Sequence, residues 1–256
     1  MKLMKFWLRA QGRYQRTVSG WFFRRTVPMS VSVPYISFTF DDFPGSAFHL
    51  GGSILSRYGA RGTYYVSFGL LGTEAPTGRI CVLDDVKALL VQGHELGCHT
   101  FAHCHSWDTN PDVFEESLIN NKRALNDYLP GRSFESLAYP VVGPRPETKR
   151  RAGRHFRACR GGSQMFNSGS LDLNLLKAYF LEKSRDDVDA VKRIIDRNAQ
   201  AGGWLIFATH DISDTPTQYG CAPRFFEEVV RYAAASGAKI LPVAEALDAV
   251  LCGEKR

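Results

Sequence analysis

From Pro34 onward, short apolar runs alternate with longer amphipathic stretches. The apolar runs predict strands at 36–40, 62–66, 95–98, 136–139, 157–159, 178–181, 204–209 and 239–241. Between them, apolar positions spaced three and four apart predict helices at 47–57, 83–91, 111–128, 147–154, 186–200, 223–235 and 243–251. Asn110 before Pro111, and Ser184 before an acidic first turn, read as helix starts. Gly59, Gly93, Pro130 and Gly237 read as helix ends. Such regular alternation implies parallel strands and an α/β fold. With seven or eight strands a barrel is favoured over an open sheet, and its functional residues gather at the C-terminal strand ends.

Residues 1–28 follow a different pattern. At 100° per residue, Leu3, Met4, Trp7, Leu8, Tyr14, Val18, Trp21 and Phe22 fall on one face, with Lys2, Lys5, Arg9, Arg13 and Arg16 opposite. That is the basic amphipathic pattern of a helix lying in an anionic membrane interface. A helix packed on the domain with a solvated basic face fits equally, and an Arg-rich transit peptide is a third reading. Charges interrupt the segment every few positions, so it offers no continuous secretory core.

The 44% hydrophobic and 23% charged content is that of a globular protein. Seven basic residues precede the first acid, Asp41, and exceed the whole net charge of +6. The remainder is near neutral, so no nucleic-acid partner is expected. Six cysteines without framework spacing read as reduced thiols. The expected location is cytoplasmic, with peripheral contact at the inner membrane face through residues 2–26.

The chemistry sits where the pattern puts strand ends. Asp41 and Asp42 close the first strand, His99 and His103 follow the third, and His210 follows the 204–209 strand. One Asp and two His suit a zinc-type site with an open position. Each residue also has an ordinary reading: an Asp-Asp turn or cap, a surface pair of histidines, a rim histidine. Their order and joint placement at strand ends favour the catalytic reading. His99 and His103, four apart, converge on one centre if they share a helical turn. His94, in GHELG, reads as structural, and His105, Cys98 and Cys104 as packing or supporting residues.

Thr39-Phe40-Asp41-Asp42, His99-Thr100-Phe101-Ala102-His103, Leu205 to His210 and Gly93-His94-Glu95-Leu96-Gly97 together resemble the polysaccharide deacetylase family, the NodB-homology domain of carbohydrate esterase family 4. The resemblance spans roughly 34–247, within an expected domain at 34–251. It implies a distorted (β/α)7–8 barrel of the NodB-homology type, here preceded by the N-terminal amphipathic helix, and metal-dependent deacetylation of an acetylated glycan. It implies Asp42, His99 and His103 as ligands of a divalent metal, zinc in first place and cobalt or another ion as alternatives. Asp41 would be the base and His210 the acid. Where the family carries an arginine-led motif, this chain reads Ala138-Tyr139-Pro140, an AYP-type variant. Asp41 without a cation would have a raised pKa, so Arg160 or Arg145 is expected to supply the charge. The family's Asp-and-Trp motif is not recognisable, and Asp172 is a weak candidate partner for His210. The expected activity is N-deacetylation of an N-acetylglucosamine-type oligo- or polysaccharide, or of a lipid-linked glycan. The rivals are O-acetyl ester hydrolysis on the same site and sugar binding without turnover.

Overall fold

The computed structural model describes residues 12, 14–15, 17–141, 143–185 and 187–252. Residues 17–21 are helical and lead into β1 (Thr26–Met29). There follow β2 (Tyr35–Phe40), a helix α1 that starts with a π-helical stretch Ala47–Gly52 and continues as Ser53–Arg57, β3 (Thr63–Val66), and a hairpin of β4 (Glu74–Ala75) and β5 (Gly78–Arg79). Next come α2 (Leu83–Val91), β6 (Glu95–Cys98), α3 (Pro111–Tyr128), β7 (Ser136–Ala138), α4 (Pro146–His155) and β8 (Ala158–Arg160). The chain ends with β9 (Gly169–Asp172), β10 (Tyr179–Phe180), α5 (Val188–Gln200), β11 (Trp204–Thr209), α6 (Pro223–Ala235), β12 (Lys239–Ile240) and α7 (Val243–Cys252).

β11 is a nearly continuous apolar run, while in β2 Ser37 and Thr39 alternate with Ile36, Phe38 and Phe40; all six residues of each strand are buried, as expected for parallel strands covered on both faces. They pair over their whole length, from Trp204 beside Tyr35 to Thr209 beside Phe40. The sheet runs β10-β11-β2-β3-β6-β7-β8, every pair parallel, with β12 also against β2. It curls until its ends meet: Gly161 N–H donates to Leu176 O at 2.9 Å and Ser163 N–H to Ala178 O at 3.0 Å, linking the end of β8 to the approach of β10. This is the curled, distorted barrel expected from the sequence.

Aromatic side chains fill the core, Phe40 stacking on Tyr64 at 4.5 Å and Phe38 on Phe207 at 5.3 Å. Asn110 caps α3, its side chain accepting from Asp112 N–H, with Pro111 in the first turn. For α5 the cap is Asp187 rather than the expected Ser184, because its carboxylate accepts from Ala190 N–H.

Two short pairings have no apolar signature in the sequence. β1 runs antiparallel to β9, and the β4–β5 hairpin leads back to the segment after β2, where Cys81 N–H donates to Phe43 O at 3.0 Å. The N-terminal segment is tied down by polar contacts. Ser19 Oγ donates to Pro144 O, the fully buried Lys149 donates to Ser19 O at 2.8 Å, and Arg25 donates to the carbonyls of Gly153 and Phe156. Tyr14, Trp21, Phe22 and Phe23 remain exposed. The other positions of the expected amphipathic helix, 1–11, 13 and 16, lie outside the described residues. Among the described residues, no helix is long and apolar enough to cross a membrane.

Candidate active site

The end of β2 sets the geometry. Asp41 N–H donates to Thr209 O at 2.9 Å, which fastens it to β11. The chain then turns through left-handed backbone at Asp42 (φ 60) and Phe43 (φ 51). Thr100 (φ 63) and His103 (φ 51) are in the same region. Four residues other than glycine in this conformation, on two facing loops, are strain concentrated at one place.

Asp42, His99 and His103 meet there, with one ligand atom from each lying within 4.8 Å of the others. Asp42 Oδ1 stands 3.4 Å from His99 Nε2 and 3.3 Å from His103 Nε2, and it is buried without a hydrogen-bond partner. Asp42 Oδ2 is held by the Thr77 hydroxyl at 2.9 Å. Thr77 lies in the turn between β4 and β5; the only sequence signal for it is the Pro76-Thr77-Gly78 turn. An orphaned buried carboxylate oxygen facing two imidazole nitrogens fits a divalent cation.

The histidines do not converge through a helical turn as expected. Residues 99–104 form a loop, and the left-handed backbone at Thr100 and His103 brings the second ring back to 5.1 Å from the first. The Thr100 hydroxyl accepts from Cys104 N–H at 2.9 Å, and Phe101 N–H donates to Ser117 Oγ at 2.9 Å. His99 Nδ1 lies 2.9 Å from Ala138 O. A carbonyl only accepts, so Nδ1 carries the proton and Nε2 keeps its lone pair toward Asp42. Burial pushes His99 down to about 4, which keeps it neutral. His103 is one-third exposed and forms the open side of the cluster.

Asp41 pairs with Arg160, at the end of β8, and both are buried. Burial by itself pushes the Asp41 carboxyl up. Arg160, then His99 and His210, outweigh it and hold the carboxyl below its ordinary value. Of the two candidate cations, then, Arg160 supplies the charge. Arg145 instead donates through Nε to Trp107 O. Arg160 lies over the Tyr65 ring at 5.1 Å and the Phe180 ring at 5.7 Å.

His210 follows β11, its Nδ1 3.2 Å from Tyr219 O. The carbonyl again fixes the proton on Nδ1. Asp211 shapes the loop carrying that carbonyl, accepting from Thr217 N–H at 2.9 Å and from the Thr217 hydroxyl. Asp172 is not the partner of His210. It bonds Lys149 at 2.6 Å and the Arg25 N–H at 3.0 Å, a structural role on the N-terminal side. An acid that the sequence did not single out is Glu182. Its buried Oε2 has no hydrogen-bond partner, burial pushes it up to about 6, and the His210 charge pulls the other way.

His94 is structural, accepting from Gly62 N–H at 3.0 Å and packing on Tyr64. His105 accepts from the N–H groups of Trp107 and Asp108, and Cys98 Sγ from Asn121, so neither is aimed at the cluster.

The polysaccharide deacetylase profile matches residues 29–155. No curated protein matches the chain by sequence. Solved structures share its fold. A mutant of the peptidoglycan deacetylase PdaC from Bacillus subtilis is 15% identical, with TM-score 0.57 over 87% of this chain and 94% of that one. A family 4 acetyl xylan esterase from Clostridium thermocellum, in complex with a cobalt ion, is 16% identical, with TM-score 0.58 over 84% and 90%. A CE4 family pseudoenzyme from Bacillus anthracis is 12% identical, with TM-score 0.58 over 85% and 66%.

Proposed function

We propose that this chain, which belongs to the polysaccharide deacetylase family, is a metal-dependent hydrolase that removes N-acetyl groups from an N-acetylglucosamine-type glycan. The observation that carries this reading is the orphaned Asp42 Oδ1 between His99 Nε2 and His103 Nε2. Asp42, His99 and His103 would hold the ion, with zinc or cobalt the preferred candidates. When bound, such an ion polarises the acetyl carbonyl and makes a water more acidic.

The remaining steps fall to the chain. Asp41, kept ionised inside the barrel by Arg160, accepts the proton of the attacking water. His210, with Nδ1–H committed to Tyr219 O, presents Nε2, which in the imidazolium form carries the proton passed to the leaving amine. His103, one-third exposed, is the side of the cluster open to solvent. A seat near the membrane surface fits the basic N-terminal segment.

The test is acetate release from chitooligosaccharides with added zinc or cobalt, compared with Asp41→Asn. Amide turnover that is lost in the variant supports the reading. The fold shared with an acetyl xylan esterase favours O-acetyl hydrolysis as the second reading, and turnover of esters alone would select it. Binding of acetylated sugars with no turnover of any would place the chain with the pseudoenzymes.

A further inference from the structure

Beside the Asp41–Arg160 pair the barrel end continues as a groove. Its first section, about 380 Å³, is lined by Tyr139, Gly161, Ser163, Phe180 and Lys183 among others. Its second, about 240 Å³, includes Gly20, Arg24, Leu175, Leu176 and Lys177. Gly143, Gly162 and Ser163 line both sections, so the two are continuous. The groove starts at Phe180, whose ring lies 5.7 Å from the Arg160 guanidinium, and runs to the N-terminal helical turn.

Its charge is one-sided. Lys183 and Lys177 are exposed, and among the described residues neither makes an ion pair; Lys183 Nζ only overlies the Phe180 ring at 5.1 Å. Arg24 is half-exposed and stands 3.9 Å from Asp172 Oδ2. Asp172 is already satisfied by the buried Lys149, so it does not balance the groove. Three cations therefore face a channel with no uncompensated acid of its own, an arrangement that selects an anionic ligand. The far end is apolar and open. Between the lining residues Gly20 and Arg24 lie Trp21, Phe22 and Phe23, exposed by 73%, 49% and 46%. Aromatic side chains held at a surface beside cations suit a lipid next to its phosphate.

We infer that this groove is a subsite for the phosphate of a lipid-phosphate-linked acetylated sugar. The sugar enters at Tyr139 and Phe180, Lys183 and Lys177 hold the phosphate, and the apolar chain leaves past Trp21 to Phe23. The inference rests on the deacetylase reading for its sugar, but not for its phosphate.

The test uses the full chain with three ligands: an alkyl N-acetylglucosaminyl phosphate, the same sugar phosphate without the alkyl chain, and a neutral alkyl N-acetylglucosaminide. Binding by calorimetry is read alongside acetate release. The alkyl phosphate should bind tightest, and Lys177→Ala with Lys183→Ala should lower its preference over the neutral glycoside about tenfold or more. Lys183→Arg should preserve much of that preference. Equal affinity for the phosphate and neutral ligands, or a preference unchanged in the double variant, overturns the subsite. Equal affinity with and without the alkyl chain overturns the lipid and leaves a soluble sugar phosphate. Lysine-dependent phosphate binding with no acetate released from any ligand sinks the deacetylase reading and sustains the subsite.

Discussion

Arg160 reaches Asp41 from a strand end 119 residues later in the chain, and the two form a buried ion pair. Ala138, at the end of the neighbouring strand β7, orients His99 through its carbonyl. One strand end thus fixes the tautomer of a candidate ligand, and its neighbour in the sheet holds the candidate base ionised.

Removing one partner of such a pair leaves a buried charge unmatched. Arg160→Met should destabilise the fold by about 3–5 kcal/mol. Asp41→Asn combined with Arg160→Met should recover much of that loss, since neither charge remains. Urea denaturation of the two variants tests this, and equal destabilisation would refute the coupling.

The orphaned Asp42 oxygen predicts stabilisation by metal. Zinc at about a hundred times its dissociation constant should add about 2.7 kcal/mol, seen as a raised melting temperature. Asp42→Ala should abolish the rise. A rise that survives in the variant would place the ion elsewhere.

Thr77→Val removes the hydroxyl that orients Asp42. Metal affinity, measured against a competing chelator, should fall about 10–100-fold. An unchanged affinity would show that the β4–β5 hairpin plays no part in the site.

Gly220 is required by contact. A Cβ there would lie 2.2 Å from Asp211 Oδ1 and 2.4 Å from its carbonyl oxygen. Gly220→Ala should displace the Tyr219 carbonyl from His210, lowering kcat while zinc binding stays at the parental level. A parallel loss of both would mean general unfolding instead.

Glu182 predicts a pH dependence of stability. Its ordinary value of 4.5 is raised to about 6 by burial. The folded value lies above the unfolded one, so the carboxyl favours folding while protonated, below about pH 4.5, and costs stability as pH rises through about 6. Glu182→Gln should therefore gain on the order of 1–2 kcal/mol above pH 6 and nothing below pH 4.5. Parallel stability curves for parent and variant across that range would contradict it.

The elements with a strong period were legible in sequence. The predicted ranges 83–91, 111–128 and 223–235 coincide with α2, α3 and α6, and 36–40 and 204–209 with the paired strands β2 and β11. Burial on one helical stripe or on both faces of a strand writes itself into residue order. The two-residue strands of the hairpin bury too little to leave such a record, and β1 and β9 find each other across the 139 residues from 30 to 168.

The candidate site divides in the same way. The sequence by itself determined which residues carry metal-compatible chemistry and that they stand at strand ends, because residue type and strand position are local. Tertiary structure alone decided how they meet. Left-handed turns at Asp42, Thr100 and His103 aim the three ligand atoms at one another, Arg160 rather than Arg145 reaches Asp41, and Asp172 turns to Lys149 instead of His210. Those choices depend on distances closed by the curl of the sheet, and a curl set by the packing of the whole chain has no signature in any short stretch of it.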